Sequence, residues 1–334
     1  MKCLQTTNVK FKVRSRDLNV ERSIQNIYLN HEELLALVRK AFVDCNKLDE
    51  WGILSGGALN TTYRFTLGDS KFVLRLYTRD RTHCKTERVI HQLIDGQVST
   101  PKLIYANESH EPWAYSIFEF ISGSHISEVA TESGNFLSYE LGHVLATIHS
   151  FKLPQAGLFG DGMTISHVFE IGSSPYFEEA FSIISKGKFV RQRLGYKLAD
   201  KAILFMQENK DFFPIVEDNV SLTHSDFKPV NLLYHEKKVF VLDWEFAHAG
   251  IGILDFAILL RHRDQFPCKI EALIKGYTDF GGTLPQDWFR SALITDFVNT
   301  LQLLDSPPER PQLFQQLKTA IQSTIDNWNS FQAF

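Results

Sequence analysis

A chain of 334 residues, 44% hydrophobic and 22% charged, is long enough to bury a large core or to divide into two lobes. Its formal net charge of -4 argues against a dedicated nucleic-acid binder, and it has no apolar run of the roughly eighteen residues that a membrane span needs. Cys3, Cys45, Cys84 and Cys268 are too scattered for a metal cluster and too few for a disulfide framework, which makes a reducing cytoplasm the expected setting.

The first thirty residues carry Lys2, Lys10, Lys12, Arg14, Arg16 and Arg22 against Asp17 and Glu21 and have no sustained period, so they read as a loosely held basic arm. Asn30 followed by Glu33 has the form of a reciprocal helix cap, and Leu34, Leu37, Val38 and Phe42 then recur at helical spacing, predicting a helix over 31–45. From Trp51 to Phe120 short β-rich runs take over: Thr61 to Leu67, a Gly68-Asp69-Ser70 turn, Lys71 to Tyr77, Lys102 to Tyr105 and Tyr115 to Phe120. One helical stretch, Thr82 to Ile94, interrupts them.

Beyond Ser122-Gly123 helical periods dominate, at Phe136 to His149, Tyr176 to Ile184, Leu198 to Asn209, Ile253 to Arg261 and several later stretches. Gly281-Gly282 marks a turn, and Pro307, Pro308 and Pro311 mark a loop between two late helices. The expectation is an α+β protein with three parts: an arm over 1–30, a small lobe with an antiparallel sheet over 31–120, and a larger helical lobe over 121–334. Charge is uneven along it, with 17 Lys/Arg against 14 Asp/Glu up to residue 120 and 18 against 25 after it.

Chemistry concentrates between His224 and Asp243. Asp226 stands five residues before Asn231 in a tight loop between apolar runs, the D-x-x-x-x-N spacing in which a carboxylate accepts a hydroxyl proton and a carboxamide oxygen holds magnesium. His224 would brace the loop, and Lys228-Pro229 lies inside it. Twelve residues past Asn231, a β-rich run ends in Asp243-Trp244-Glu245, and a strand pair would return Asp243 to Asn231. Oxygen ligands there suit Mg2+, with Asn231 and Asp243 as the main candidates and Glu245 as a further one.

With His two residues before the Asp and an Asp after the following strand, the segment resembles the aminoglycoside phosphotransferase and choline kinase superfamily, small-molecule relatives of protein kinases. The resemblance extends over about residues 30 to 330, and Leu242 to Gly250 with Leu254 to Arg261 is especially similar to bacterial members. It implies a protein-kinase-like two-lobe fold and transfer of the ATP γ-phosphoryl to a hydroxyl of a small acceptor. GTP is the alternative donor. An acidic second lobe suits a cationic acceptor, an amino sugar or amino alcohol.

Upstream pieces follow the same family order. Ser55, Gly56, Gly57, Asn60 and Thr61 resemble its nucleotide-phosphate loop, where small residues let backbone amides approach phosphate. Arg75 occupies the strand position where the family usually places a lysine toward the phosphates, and Glu87 is its implied partner. Glu119 and Ile121 resemble the linker whose main chain meets the adenine edge. Asp255 is implied to hold the second lobe together, and Ser225 stands where the family often has glycine.

A protein kinase and a silent nucleotide-binding module share parts of this pattern. Against the first, Asp243-Trp-Glu replaces D-F-G, with only about ten residues before Asp255. His143 and His149, on an apolar helix, and Trp244 and Trp288 are expected in the core. Arg261 at a helix end is expected to complement the helix dipole.

Overall fold

The computed structural model describes residues 24–54, 59–109, 111–218, 220–307 and 309–331. Most of the basic arm, and Ser55, Gly56 and Gly57 of the small-residue loop, therefore lie outside the described residues. The chain forms two compact units, one running to Leu93 and including Thr100–Ser122, the other made of Ile94–Ser99 and everything from Gly123 onward.

In the first unit, α1 (His31–Val38) is followed by β1 (Trp51–Ile53), β2 (Thr61–Leu67), β3 (Ser70–Leu76), α2 (His83–Ile94), β4 (Leu103–Asn107) and β5 (Tyr115–Glu119). The five strands make one antiparallel sheet in the order β1-β2-β3-β5-β4. Strand alternation assigns its faces. Leu74, Leu76, Tyr115 and Ile117 turn to the core shared with Leu34, Leu35 and Val38 of α1, and the Tyr115 hydroxyl donates to the Leu37 carbonyl at 2.8 Å. The intervening residues Arg75, Ser116 and Phe118 face the other way, toward α2, where the His91 ring meets Phe118.

The Asn30/Glu33 capping box is present, but α1 stops at Val38 rather than near residue 45. Tight turns continue the path, with Ala41 N–H bonding Val38 and Arg39 Nε donating to the Cys45 carbonyl at 2.8 Å. Phe42 still packs against Phe65 and Phe72, so the apolar spacing marked a real core contact while the backbone left the helix.

The second unit is richer in strands than its sequence suggests. In order it contains β6 (Ser124–His125), α3 (Gly134–Ser150), β7 (Lys152–Leu153), β8 (Gly157–Phe159), β9 (Ile165–Val168), α4 (Pro175–Lys186), α5 (Val190–Leu194), α6 (Tyr196–Glu208) and β10 (Val220–Thr223). It continues through β11 (Leu232–His235), β12 (Lys238–Val241), β13 (His248–Gly250), α7 (Ile253–Arg261), α8 (Ile270–Asp279), α9 (Trp288–Asp305) and α10 (Pro311–Asp326). The strands form two small sheets, β7-β10-β13-β8-β9 and β12-β11-β6. Among the described residues no helix is long and apolar enough to cross a membrane.

Two helix contacts set the frame around the loop 224–231. Every residue of α7 from Ile253 to Leu260 is buried. Helices α3 and α8 cross closely because each has a glycine at the contact: a Cβ on Gly142 would lie 2.0 Å from the Leu273 carbonyl oxygen, and one on Gly276 2.0 Å from that of Tyr139. Arg261 is not a free helix-end charge. Its guanidinium donates to Asp296 at 2.9 Å and Asn299 at 2.8 Å, tying α7 to α9, while burial raises the Asp296 carboxyl to about 6.

Candidate active site

Strand β10 delivers the loop and the β11–β12 hairpin closes it. The hairpin turns through Glu236 and Lys237, both at positive φ as a two-residue turn of this hand requires. Its register pairs Leu232 with Val241, and Leu242 N–H then donates to the Asn231 carbonyl at 2.9 Å. Asp243 follows that bond directly, with a φ of 67°.

Within the loop Asp226 is gripped from two sides. The Asn231 side-chain N–H₂ donates to its Oδ2 at 2.7 Å and its carbonyl at 3.0 Å, and Lys228 Nζ stands 2.8 Å from Oδ1. The carboxylate keeps 14% of its surface exposed, so a reacting group can reach it. His224 is fully buried. Its Nδ1 accepts the Asp226 N–H at 3.2 Å and its Nε2 lies 3.0 Å from the Leu242 carbonyl, an arrangement that calls for the neutral tautomer protonated at Nε2. Burial lowers its pKa, outweighing the pull of Asp255 and Asp226 in the other direction. Trp244 and Phe227 pack against its ring.

Behind this loop sits Asp255, on α7 and fully buried. It accepts the backbone N–H groups of His224 at 2.9 Å and Ser225 at 2.7 Å, and His149 Nε2 at 3.1 Å. Burial alone would raise this carboxyl, but the hydrogen bonds and the facing histidines bring it below its usual value. His149 is held in turn by the Tyr277 hydroxyl at 3.0 Å. The sequence marked His149 and Asp255 as structural. Their link to the 224–231 loop was hidden because it runs through backbone donors of residues far away in the chain.

Ser225 has a φ of 67°, the left-handed region where glycine is at ease and other L-residues are strained. Its Oγ lies 2.7 Å from His248 Nδ1, and His248 Nε2 is 3.3 Å from the Tyr176 hydroxyl. This anchor has no counterpart in the motif, since nothing in the spacing of His248 suggests it.

The Asn231 side chain spends its Nδ2 on Asp226, which leaves its Oδ1 as the oxygen that could ligate a cation. Together with the Asp243 carboxylate this gives two hard oxygens on adjoining backbone, a set that fits Mg2+, an ion that takes the rest of its shell from water and phosphate. Among the described residues no three His, Cys, Asp or Glu side chains converge as a metal cluster. Glu245 is buried, at 5% exposure, as is Trp244 beside it.

In the first unit Arg75 Nη1 contacts both oxygens of Glu87, at 3.0 and 3.2 Å. The Asn60 side-chain Oδ1 accepts the Thr78 N–H at 3.2 Å. Thr61 is fully buried in β2 with its hydroxyl accepting Ile27 N–H at 3.0 Å, so its side chain serves the scaffold and is not open to a phosphate. At the end of β5, Glu119 N–H is committed to the Lys102 carbonyl and Phe120 N–H to that of Lys71, and Ile121 follows this last rung.

A family model described as the phosphotransferase enzyme family matches residues 50–294, and the chain belongs to that family. Its fold is the kinase-like α+β fold of aminoglycoside phosphotransferases. A thermostable variant of APH(4)-Ia, solved with ADP and hygromycin B, superposes with a TM-score of 0.62 at 16% identity, covering 87% of this chain and 98% of that one. ADP-bound APH(2'')-Ib gives 0.61 at 16% identity over 88% and 98%. APH(2")-IIa, solved with streptomycin and ATP, gives 0.59 at 15% over 90% and 99%. At such identities the likeness speaks for the fold. No protein of curated function matches the sequence.

Proposed function

We propose that this phosphotransferase moves the γ-phosphoryl group of ATP to a hydroxyl of a small acceptor, using Asp226 as the base. The observation that carries the reading is the Asp226 carboxylate, accessible yet fixed by Asn231 and Lys228 on a loop clamped from behind by Asp255. The acceptor oxygen bonds to the γ-phosphorus as the bond from that phosphorus to the β,γ-bridging oxygen opens. The acceptor proton passes to Asp226, and ADP leaves. Because such transition states are loose, most of the acceleration comes from position and charge, with Lys228 offsetting negative charge beside the carboxylate.

Asn231 and Asp243 would hold Mg2+, with Glu245 in support, and the ion when bound would neutralise charge on the phosphates. On the first unit, Arg75 set by Glu87 and the 55–60 loop would take phosphate oxygens, and the Glu119 and Ile121 main chain the adenine edge. This assigns nucleotide binding to residues 31–120 and the chemistry and acceptor to 121–334. The acidic excess of the second part, 25 Asp/Glu against 18 Lys/Arg, supports a cationic acceptor such as an aminoglycoside or amino alcohol. Three free cysteines among the described residues agree with a cytoplasmic setting.

The test is ADP release by the purified protein with MgATP, and MgGTP in parallel, across aminoglycosides, choline, homoserine and related alcohols. One acceptor should stimulate turnover strongly, and Asp226→Ala should lower that turnover about 10²–10⁴-fold while sparing MgATP binding. Stoichiometric MgATP binding with no transfer to any small alcohol, or full turnover by Asp226→Ala, would overturn the reading.

A further inference from the structure

The backbone of Ser225 decides where Asp226 points. Asp255 holds the Ser225 N–H at 2.7 Å, and with that amide fixed the chain can still rotate about the N–Cα bond of Ser225, which would swing Asp226 with it. At a φ of 67° an L-residue gains by such a rotation, because its Cβ crowds the following carbonyl oxygen. Glycine would rest there without strain, whereas serine needs a second hold. His248 supplies it: its Nδ1 lies 2.7 Å from the Ser225 Oγ, an atom that any change in φ would carry away.

The surroundings of His248 are built for this contact. His248 opens β13 and pairs with Thr223 at the end of β10, immediately before the loop. Gly250 lies two residues on, along the same face of the strand, and a Cβ there would come within 2.5 Å of His248 Nε2, so the glycine makes room for the ring. The buried Tyr176 hydroxyl accepts the Ile251 N–H at 3.3 Å and stands 3.3 Å from that same Nε2. Burial pushes the Tyr176 pKa up and the His248 pKa down, so a protonated phenol faces a neutral imidazole. The phenol therefore donates to Nε2 and the ring proton sits on Nδ1. From there it is donated to the Ser225 Oγ, whose own proton turns to the Thr223 carbonyl at 3.4 Å.

We infer that His248 is a positioning residue for phosphoryl transfer: through the Ser225 Oγ it locks the backbone turn that aims the Asp226 carboxylate, and Tyr176 fixes the tautomer that does so. The inference rests on the reading of Asp226 as the base. It makes His248 matter when residue 225 is serine and not when it is glycine, a dependence that packing alone does not produce.

The experiment follows ADP release from MgATP with water as the acceptor, alongside the MgATP dissociation constant from calorimetry and a thermal melt for each variant. His248→Gln, whose amide reaches the place of Nε2, should lower kcat for ADP release ~10-fold and leave MgATP affinity within about 2-fold. His248→Asn, whose amide nitrogen falls at the place of Nδ1, should recover most of that loss. In a Ser225→Gly background His248→Gln should cost less than about 2-fold. Equal losses in the serine and glycine backgrounds, or no advantage of asparagine over glutamine, would overturn the inference. If His248→Gln does not fold, Tyr176→Phe is the second variant, expected to lose about 3-fold in kcat with serine and nothing with glycine; equal effects would again refute it. Asp226→Ala separates the two levels. Unchanged ADP release there sinks the base reading itself, while a loss there with a silent His248→Gln sinks only the role of His248.

Discussion

Arg75 in the first unit and Asp226 in the second are held in place by opposite means. The Arg75 pairing with Glu87 joins residues twelve positions apart, on one strand and the next helix, and the Tyr77 hydroxyl donates to the same carboxylate. The Asp226 loop hangs from Asp255, thirty residues downstream of Ser225, which is itself held by His149, 106 residues upstream of it. A local clamp costs little chain entropy and fails locally. A long-range clamp closes large loops, so its loss should spread through the unit that it organises.

The largest effect expected is therefore that of Asp255→Ala. It strips two buried backbone N–H groups and His149 of their acceptor, which should cost roughly 3–5 kcal/mol and lower the thermal midpoint of the protein along with its turnover. A variant with a wild-type melt would show that the loop does not depend on this clamp. Arg75→Ala should be confined to its surroundings, weakening MgATP binding roughly 10–100-fold through loss of a charged contact while the acceptor KM stays put. A comparable shift in both constants would erase the contrast between the two regions.

Acid should act on the second unit. Burial lowers the pKa of both His224 and His248 from the ordinary 6.5, so the folded protein keeps them neutral where the unfolded chain is already protonated. Their contribution to stability is complete above pH 6.5 and drains away as pH falls toward the depressed values, at up to about 1.4 kcal/mol per pH unit for each histidine. Chemical denaturation at a series of pH values should show that slope, and His248→Gln should make it shallower; an unchanged slope would remove His248 from the account.

The smallest effect concerns Ser225. Alanine there keeps the left-handed strain and loses the contact with His248, whereas glycine loses the contact but also the strain, so Ser225→Gly should be about 1 kcal/mol more stable than Ser225→Ala and near the parent protein. Melts of the two variants decide it, and alanine equal to glycine would mean that the backbone there carries no strain.

The same contrast explains what could be read from the sequence. The β2–β3 hairpin, the helix carrying Glu87, and the loop from His224 to Asn231 were legible because each is built from residues close in the chain with a clear period or spacing. Helix α7 was legible at both ends for the same reason. The small sheets of the second unit were not: β6 and β7 have two residues each, too few for any alternation to register. The predicted helix over 31–45 ran on because Phe42 keeps helical spacing after the backbone has turned away. Thr61 looked like part of a phosphate loop because a buried β-branched residue at a strand start and a small polar loop residue read alike. His149 was legible as a core residue but its partner was not, and His248 gave no signal, since each acts through a partner that only the tertiary fold brings near.

The position of Asp255 also has a consequence for the order in which the protein is made. A ribosome that has passed residue 231 has already supplied the whole 224–231 loop, but the carboxylate that gathers its backbone amides is still unmade, and Tyr277, which steadies His149, comes later again. Products stalled before α7 would carry the 224–231 loop without the carboxylate that binds the His224 and Ser225 amides, and activity should appear abruptly with nascent-chain length once α8 has cleared the exit tunnel.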